Sequence, residues 1–166
     1  MSRFFRLSAV AAIMCALFAT PSLHAADYVT IHLQVDVNRP PAEVWKRVGD
    51  YCAIAEWLKA KCEYVSGSGD LGSVRRINDS NVEPMVGKTP FSYTYWQTAG
   101  NMAPMSYHGT LSVEPNGAGK SRLFYTLFYD QAAMASDAVR ASEHARLTTR
   151  FQGALDTMKA LAEEKK

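Results

Sequence analysis

VNRPPAEVWKRVGDYCAIAEWLKAKCEYVS, the run from Val37 to Ser66, decides how this chain is built. It sets a proline-started helix, two tryptophans and two cysteines between two strand-like segments. Pro40 and Pro41 suit a helix's first turn, where a missing N–H costs little, and Val44, Trp45 and Val48 follow as an apolar stripe. Gly49 and Asp50 end that helix. A second short helix, about Cys52 to Leu58, turns Ile54, Trp57 and Leu58 inward before the chain returns to strand at Lys61. Strand, two short helices and strand predict a sheet that wraps an interior.

The flanks extend that pattern. Before the run, Tyr28 to Val37 alternates, with Ile31, Leu33, Val35 and Val37 on one face and Thr30, His32, Gln34 and Asp36 on the other. After it, Cys62 to Tyr129 reads as a meander of strands punctuated by GSGDLG, NDSN, VGKTP, GNMAP and PNGAGK, which favours antiparallel neighbours. Met105, Tyr107, Gly109, Leu111 and Val113 share the expected inner face of one strand, and Leu123, Tyr125 and Leu127 that of another. Ser136 to about Glu164 contains no proline, and Leu147, Phe151, Ala154, Met158 and Leu161 recur at helical spacing, so one long amphipathic helix is expected. Arg146, Arg150, Gln152, Asp156, Lys159 and Glu163 fall on its other side. The layout is α+β.

Residues 1–25 read as a secretory signal: Arg3 and Arg6, an apolar run from Leu7 to Phe18, Pro21, and a small-residue site at Ala25. The apolar run is nearer a dozen residues than the ~20 needed to span a bilayer, so no stable membrane anchor is expected. One mature domain, 26–166, then remains, in the periplasm or secreted. Loss of Arg3 and Arg6 takes 18 Lys+Arg against 16 Asp+Glu to 16 against 16. A neutral chain without a basic run lacks the phosphate attraction that nucleic-acid binding depends on.

Cys52 and Cys62 form an even pair in an exported chain, and a disulfide is expected; two buried free thiols are the competing reading. Two cysteines alone do not satisfy a structural zinc, and no cofactor or metal is implied. Gly67, Gly69 and Gly72 spell G-x-G-x-x-G, but the strand-like SVRRIN follows instead of a helix, so the motif reads as a hairpin loop. No two histidines of the mature chain sit at i, i+4, no G-x-S-x-G elbow occurs, and no catalytic constellation or inward general base emerges. Arg75 and Arg76 are adjacent in a strand, so one points in. If Ile77 faces the interior, so does Arg75, whose guanidinium then needs an acidic ligand group or a protein carboxylate such as Glu56 or Glu83.

PPAEVW, GDYCAIAEWL, GDLGSVRRIN and the long terminal helix, in this order, resemble the START and Bet v 1-like superfamily, which includes polyketide cyclases, lipid-transfer domains and plant hormone receptors. The similarity is strongest to exported bacterial members with a cysteine on each side of the short second helix. The resemblance implies a helix-grip fold: a strongly curved antiparallel sheet of about seven strands around the C-terminal helix, leaving a cavity between them. It also implies that Arg75 and Ile77 line that cavity, joined by Tyr93, Tyr95, Tyr107 and Tyr125 from later strands and closed by Leu147, Phe151 and Leu155 from the helix. The loop from Asp79 to Val86, with Met85, resembles the segment that gates access in the family, although it lacks the gate sequence of the hormone receptors.

The function expected is carriage or sensing of a small hydrophobic or amphipathic molecule, with apolar contacts supplying affinity and Arg75 plus the tyrosines fixing its orientation. A cyclase or dehydratase-like enzyme and a non-catalytic envelope interaction module are the alternatives.

Overall fold

The computed structural model describes residues 25–164. The expected leader, apart from Ala25, lies outside the described residues. Strand β1, Tyr28–Val37, leads into helix α1, Pro41–Val48, and the short helix α2, Ile54–Trp57. Strands β2 (Cys62–Ser66), β3 (Val74–Ile77), β4 (Asn81–Thr89), β5 (Ser92–Trp96), β6 (His108–Pro115) and β7 (Ser121–Asp130) follow, and helix α3, Asp137–Glu163, ends the chain. All seven strands form one antiparallel sheet in the order β1-β7-β6-β5-β4-β3-β2. The sequence neighbours β1 and β2 therefore occupy opposite edges, and α1 and α2 span the gap between them. This is the helix-grip fold.

Local chemistry explains the elements. Pro41 opens α1 and Val44 and Val48 are its buried stripe. Ser136 caps α3 by accepting a hydrogen bond from the Val139 N–H, which satisfies one of the first-turn donors. Along α3 the buried positions Leu147, Phe151, Ala154, Leu155 and Met158 keep helical spacing and meet the inner residues of the sheet, Tyr93, Tyr95, Leu111, Val113, Leu123, Tyr125, Leu127 and Tyr129. Lys159 Nζ donates to the Asp36 carbonyl and the Asn38 N–H donates to Glu163, which fixes the end of α3 on β1.

Four expectations shift. Asp79 to Val86 is not a loop: Asn78 and Asp79 take left-handed conformations in a tight turn, and from Asn81 the chain is already strand β4. Strand β4 also runs to Thr89, so the VGKTP signal is a turn only at its proline end. Met105 is not in β6; it closes a 3-10 turn, Ala103–Met105, because Pro104 lacks the N–H that a ladder would require. Helix α2 is shorter than expected, its first turn being replaced by Tyr51–Ala53, where the Cys52 N–H donates to Asp50 Oδ1. The G-x-G-x-x-G segment is the β2–β3 hairpin loop, with Gly67, Gly69 and Gly72 all at positive φ.

Two devices position the inner face. Cys52 and Cys62 are bonded, with Cα atoms 5.6 Å apart, which ties the approach to α2 to the first residue of β2. Gly109 pairs with Tyr95 across β5 and β6, and a Cβ there would lie 2.3 Å from the Tyr95 hydroxyl oxygen. The missing side chain is the space the phenol occupies.

Reduction of the disulfide, or the pair Cys52→Ala/Cys62→Ala, is expected to lower stability by about 2–3 kcal/mol, read as a lower melting temperature with reductant; an unmoved melting temperature would show that the bond contributes nothing. Gly109→Ala is expected to cost about 1–3 kcal/mol in a urea titration, and a Tyr95→Leu background should absorb most of that cost. Equal costs in both backgrounds would show that the clash lies elsewhere.

Candidate functional site

A cleft of about 510 Å³ opens between α2, the β3–β4 turn, β5, the loop after it and α3. Its walls are apolar: Ile54 and Leu58 from the α2 region, Ile77 from β3, Met102 from the loop, and Leu147 and Phe151 from α3. Tyr95, Tyr107 and Glu83 line its buried part, whereas Asn78, Asn101, Arg146 and Arg150 are exposed at its mouth. The volume is within the range of small-molecule sites, and the lining has their usual composition of apolar surface with a few convergent polar groups.

Behind the cleft sits a buried ion pair. Arg75 and Glu83 are direct cross-strand partners in β3 and β4. Arg75 Nε donates to Glu83 Oε2 at 2.9 Å, and Nη2 lies 2.7 Å from the same oxygen. Arg75 Nη1 donates to the Tyr51 carbonyl, and the guanidinium carbon stands 4.1 Å from the centre of the Tyr51 ring, 4.8 Å from that of Tyr95 and 5.7 Å from that of Tyr93. Both side-chain contacts with Glu83 fall on one oxygen. Glu83 Oε1 therefore has no donor among the described residues, and Glu83 borders the cleft. Burial pushes the Glu83 carboxyl above its ordinary range, and the neighbouring guanidinium pulls it part of the way back.

The phenols form a chain. Tyr95 Oη lies 3.0 Å from Tyr125 Oη and 3.4 Å from Tyr107 Oη. Burial drives all three well above the usual tyrosine range, so they remain protonated hydrogen-bond donors. Gln97, 3% exposed, also borders the cleft, and its amide nitrogen has no hydrogen-bond partner among the described residues.

Of the residues picked out in the sequence, Ile77, Tyr95, Tyr107, Leu147 and Phe151 come together around the cleft. Arg75, Tyr125 and Leu155 are packed behind it, fully buried. Met85 and Tyr93 face a separate groove beside Trp45 and Asp50. Arg75 takes the protein carboxylate Glu83 rather than Glu56, which pairs with Arg47. Sequence reasoning missed Glu83 as an inward acidic group of its own, and it missed Gln97, Arg146 and Arg150. The last two each precede a cleft residue, Leu147 and Phe151, so they border the apolar stripe and do not oppose it.

No curated protein sequence matches the chain. Similar solved structures include a protein from Nitrosospira multiformis, 18% identical over 80% of this chain and 94% of that one, with a TM-score of 0.63. Truncated norcoclaurine synthase from Thalictrum flavum is 17% identical over 86% of this chain and 98% of its own, with a TM-score of 0.66. The same enzyme in complex with dopamine and hydroxybenzaldehyde is 14% identical over 99% of this chain and 100% of its own, with a TM-score of 0.67. At such identities the likeness establishes the fold, which is the Bet v 1-like one. The sequence profile of the family described as polyketide cyclase / dehydrase and lipid transport matches residues 28–163, from the start of β1 to the end of α3, and the chain belongs to that family.

Proposed function

We propose that this is an exported protein, processed near Ala25, whose domain carries or senses a small hydrophobic or amphipathic molecule in the cleft. The observation that supports this reading is the cleft itself: apolar walls from four parts of the chain surround a few hydrogen-bonding groups without a partner among the described residues, Glu83 Oε1 and the Gln97 amide nitrogen among them. The disulfide suits an oxidising compartment, and among the described residues no helix is long and apolar enough to cross a membrane. Norcoclaurine synthase, on the same fold, is solved with two small aromatic compounds, which supports a guest of similar size.

A second reading, an acid–base enzyme of the cyclase or dehydratase type, is favoured by Glu83. A carboxyl that burial pushes above its ordinary range, set beside donor phenols, is an environment in which a proton can be taken from one carbon and an oxyanion stabilised. An interaction module whose interior is merely core fits poorly with a cleft of this size.

Native mass spectrometry of protein isolated from its own compartment is expected to show a bound small molecule, and N-phenyl-1-naphthylamine should bind in its place. Leu58→Ala, on a half-exposed wall, is expected to weaken that probe about five- to tenfold, since each buried methylene is worth ~0.8 kcal/mol. Unchanged affinity would place the probe outside the cleft.

Glu83 also predicts a pH dependence. The folded chain holds this proton to higher pH than the unfolded chain, so the stability linked to it is present below about pH 4.5, the ordinary glutamate value, and is lost as pH rises through the raised one. Measured against Glu83→Gln, which lacks the titration while sharing every surface carboxylate, the wild type should lose relative stability as pH rises. A difference that grows in the other direction would mean that the Arg75 charge outweighs burial.

A further inference from the structure

We infer that the guest is an amphipathic organic anion, seated with its charged group at the mouth of the cleft against Arg150, Arg146 and Gln97 and its apolar body inside. This rests on the cleft being the ligand site. Arg150 is exposed at the rim and has no ion-pair partner among the described residues. One helical turn earlier, Arg146 borders the same rim, although it already pairs with Glu143. The mouth thus carries two guanidinium groups against one carboxylate, while Arg75 and Glu83 deeper in compensate each other.

Gln97 adds an independent observation. It is almost completely buried at the cleft, and its amide nitrogen has no acceptor among the described residues. A buried amide in that state costs free energy until an acceptor arrives, and a carboxylate, sulfonate or phosphate oxygen would be one. The polarity of the guest follows. Its anionic end is excluded from the deep end by the free oxygen of Glu83 and is attracted by the unpaired cation at the rim, so only a neutral group fits beside the phenols.

Two fluorescent probes with one anilinonaphthalene body test this. 1-Anilinonaphthalene-8-sulfonate carries an anionic group, and N-phenyl-1-naphthylamine does not. The sulfonate is expected to bind about tenfold more tightly at low salt, with the advantage shrinking as salt is added. Arg150→Gln, at an exposed position that should leave the melting temperature unchanged, is expected to cost the sulfonate about tenfold and the neutral probe less than about twofold. Gln97→Leu should act in the same selective direction. If the two probes bind equally, or if Arg150→Gln weakens both alike, the anion subsite is wrong, and sensitivity of both to Leu58→Ala would leave the cleft standing as a site. If neither probe responds to Leu58→Ala, the cleft reading fails and this inference fails with it.

Discussion

Arg75 is charged under all ordinary conditions and has no contact with water, so its surroundings have to replace a hydration shell. Glu83 supplies the opposite charge from the neighbouring strand, the Tyr51 carbonyl accepts a hydrogen bond, and the faces of Tyr51 and Tyr95 stand within 5 Å. Each partner is thereby fixed in place. Tyr51 belongs to the connection between α1 and α2, and its hydroxyl returns a hydrogen bond to the Glu83 carbonyl, so the pair clamps that connection onto β4. Tyr95 is held where its hydroxyl reaches both Tyr107 and Tyr125. The polarity of the cleft is a by-product of the same arrangement, because Arg75 occupies one carboxylate oxygen and leaves the other for whatever enters.

That clamp also divides the interior. Leu147 and Phe151 of α3 border open space, whereas Ala154, Leu155 and Met158, one turn further on, are completely packed. The sheet residues follow the same division: Tyr95 borders the cleft, while Leu111, Leu123 and Tyr125 do not. The helix is therefore gripped tightly along its second half and stands away from the sheet along its first, where α2 and the loop after β5 form the walls. The disulfide sits at the α2 side of this opening, so the wall residues Ile54 and Leu58 hang from a covalently restrained segment.

Much of this was legible because single periodicities dominate. The alternation from Tyr28 to Val37 gives β1 with its stated ends, and the stripe on α3 gives the buried set with little ambiguity. The Arg75–Glu83 partnership was half legible: a hairpin turning at Asn78 and Asp79 pairs Ile77 with Asn81 and hence Arg75 with Glu83. That register depends on reading NDSN as a tight turn followed at once by strand, and the segment to Val86 reads equally well as a loop, since Asn, Asp, Ser and Pro all disfavour regular pairing. The rim was not legible. Helical periodicity sorts residues into inward and outward, and Arg146 and Arg150 stand on the border between the two, a position that acquires meaning only where a cavity reaches the edge of the helix. Gln97 continues the inward alternation of Tyr93 and Tyr95, but it is a polar residue one position past the end of its strand at Trp96, where alternation alone does not mark it as buried.

The chemistry available in the cleft is narrower than its polar lining suggests. Arginines do not exchange protons, and burial moves the Tyr95 and Tyr107 hydroxyls so far up that they donate hydrogen bonds without ionising. Among the described residues no histidine borders the space. Among the described residues Glu83, whose carboxyl burial pushes above its ordinary range, is then the lining group suited to take up and release a proton. Any reaction run on these residues would use a single carboxylate for both transfers, with the phenols bracing the charge that develops on an oxygen, which suits an isomerisation or ring closure better than a hydrolysis needing separate acid and base. Carriage needs none of this proton traffic, only the walls and the charge at the mouth, so retention of binding after Glu83→Gln with loss of turnover would identify the enzyme, and equal binding with no turnover in either form would identify the carrier.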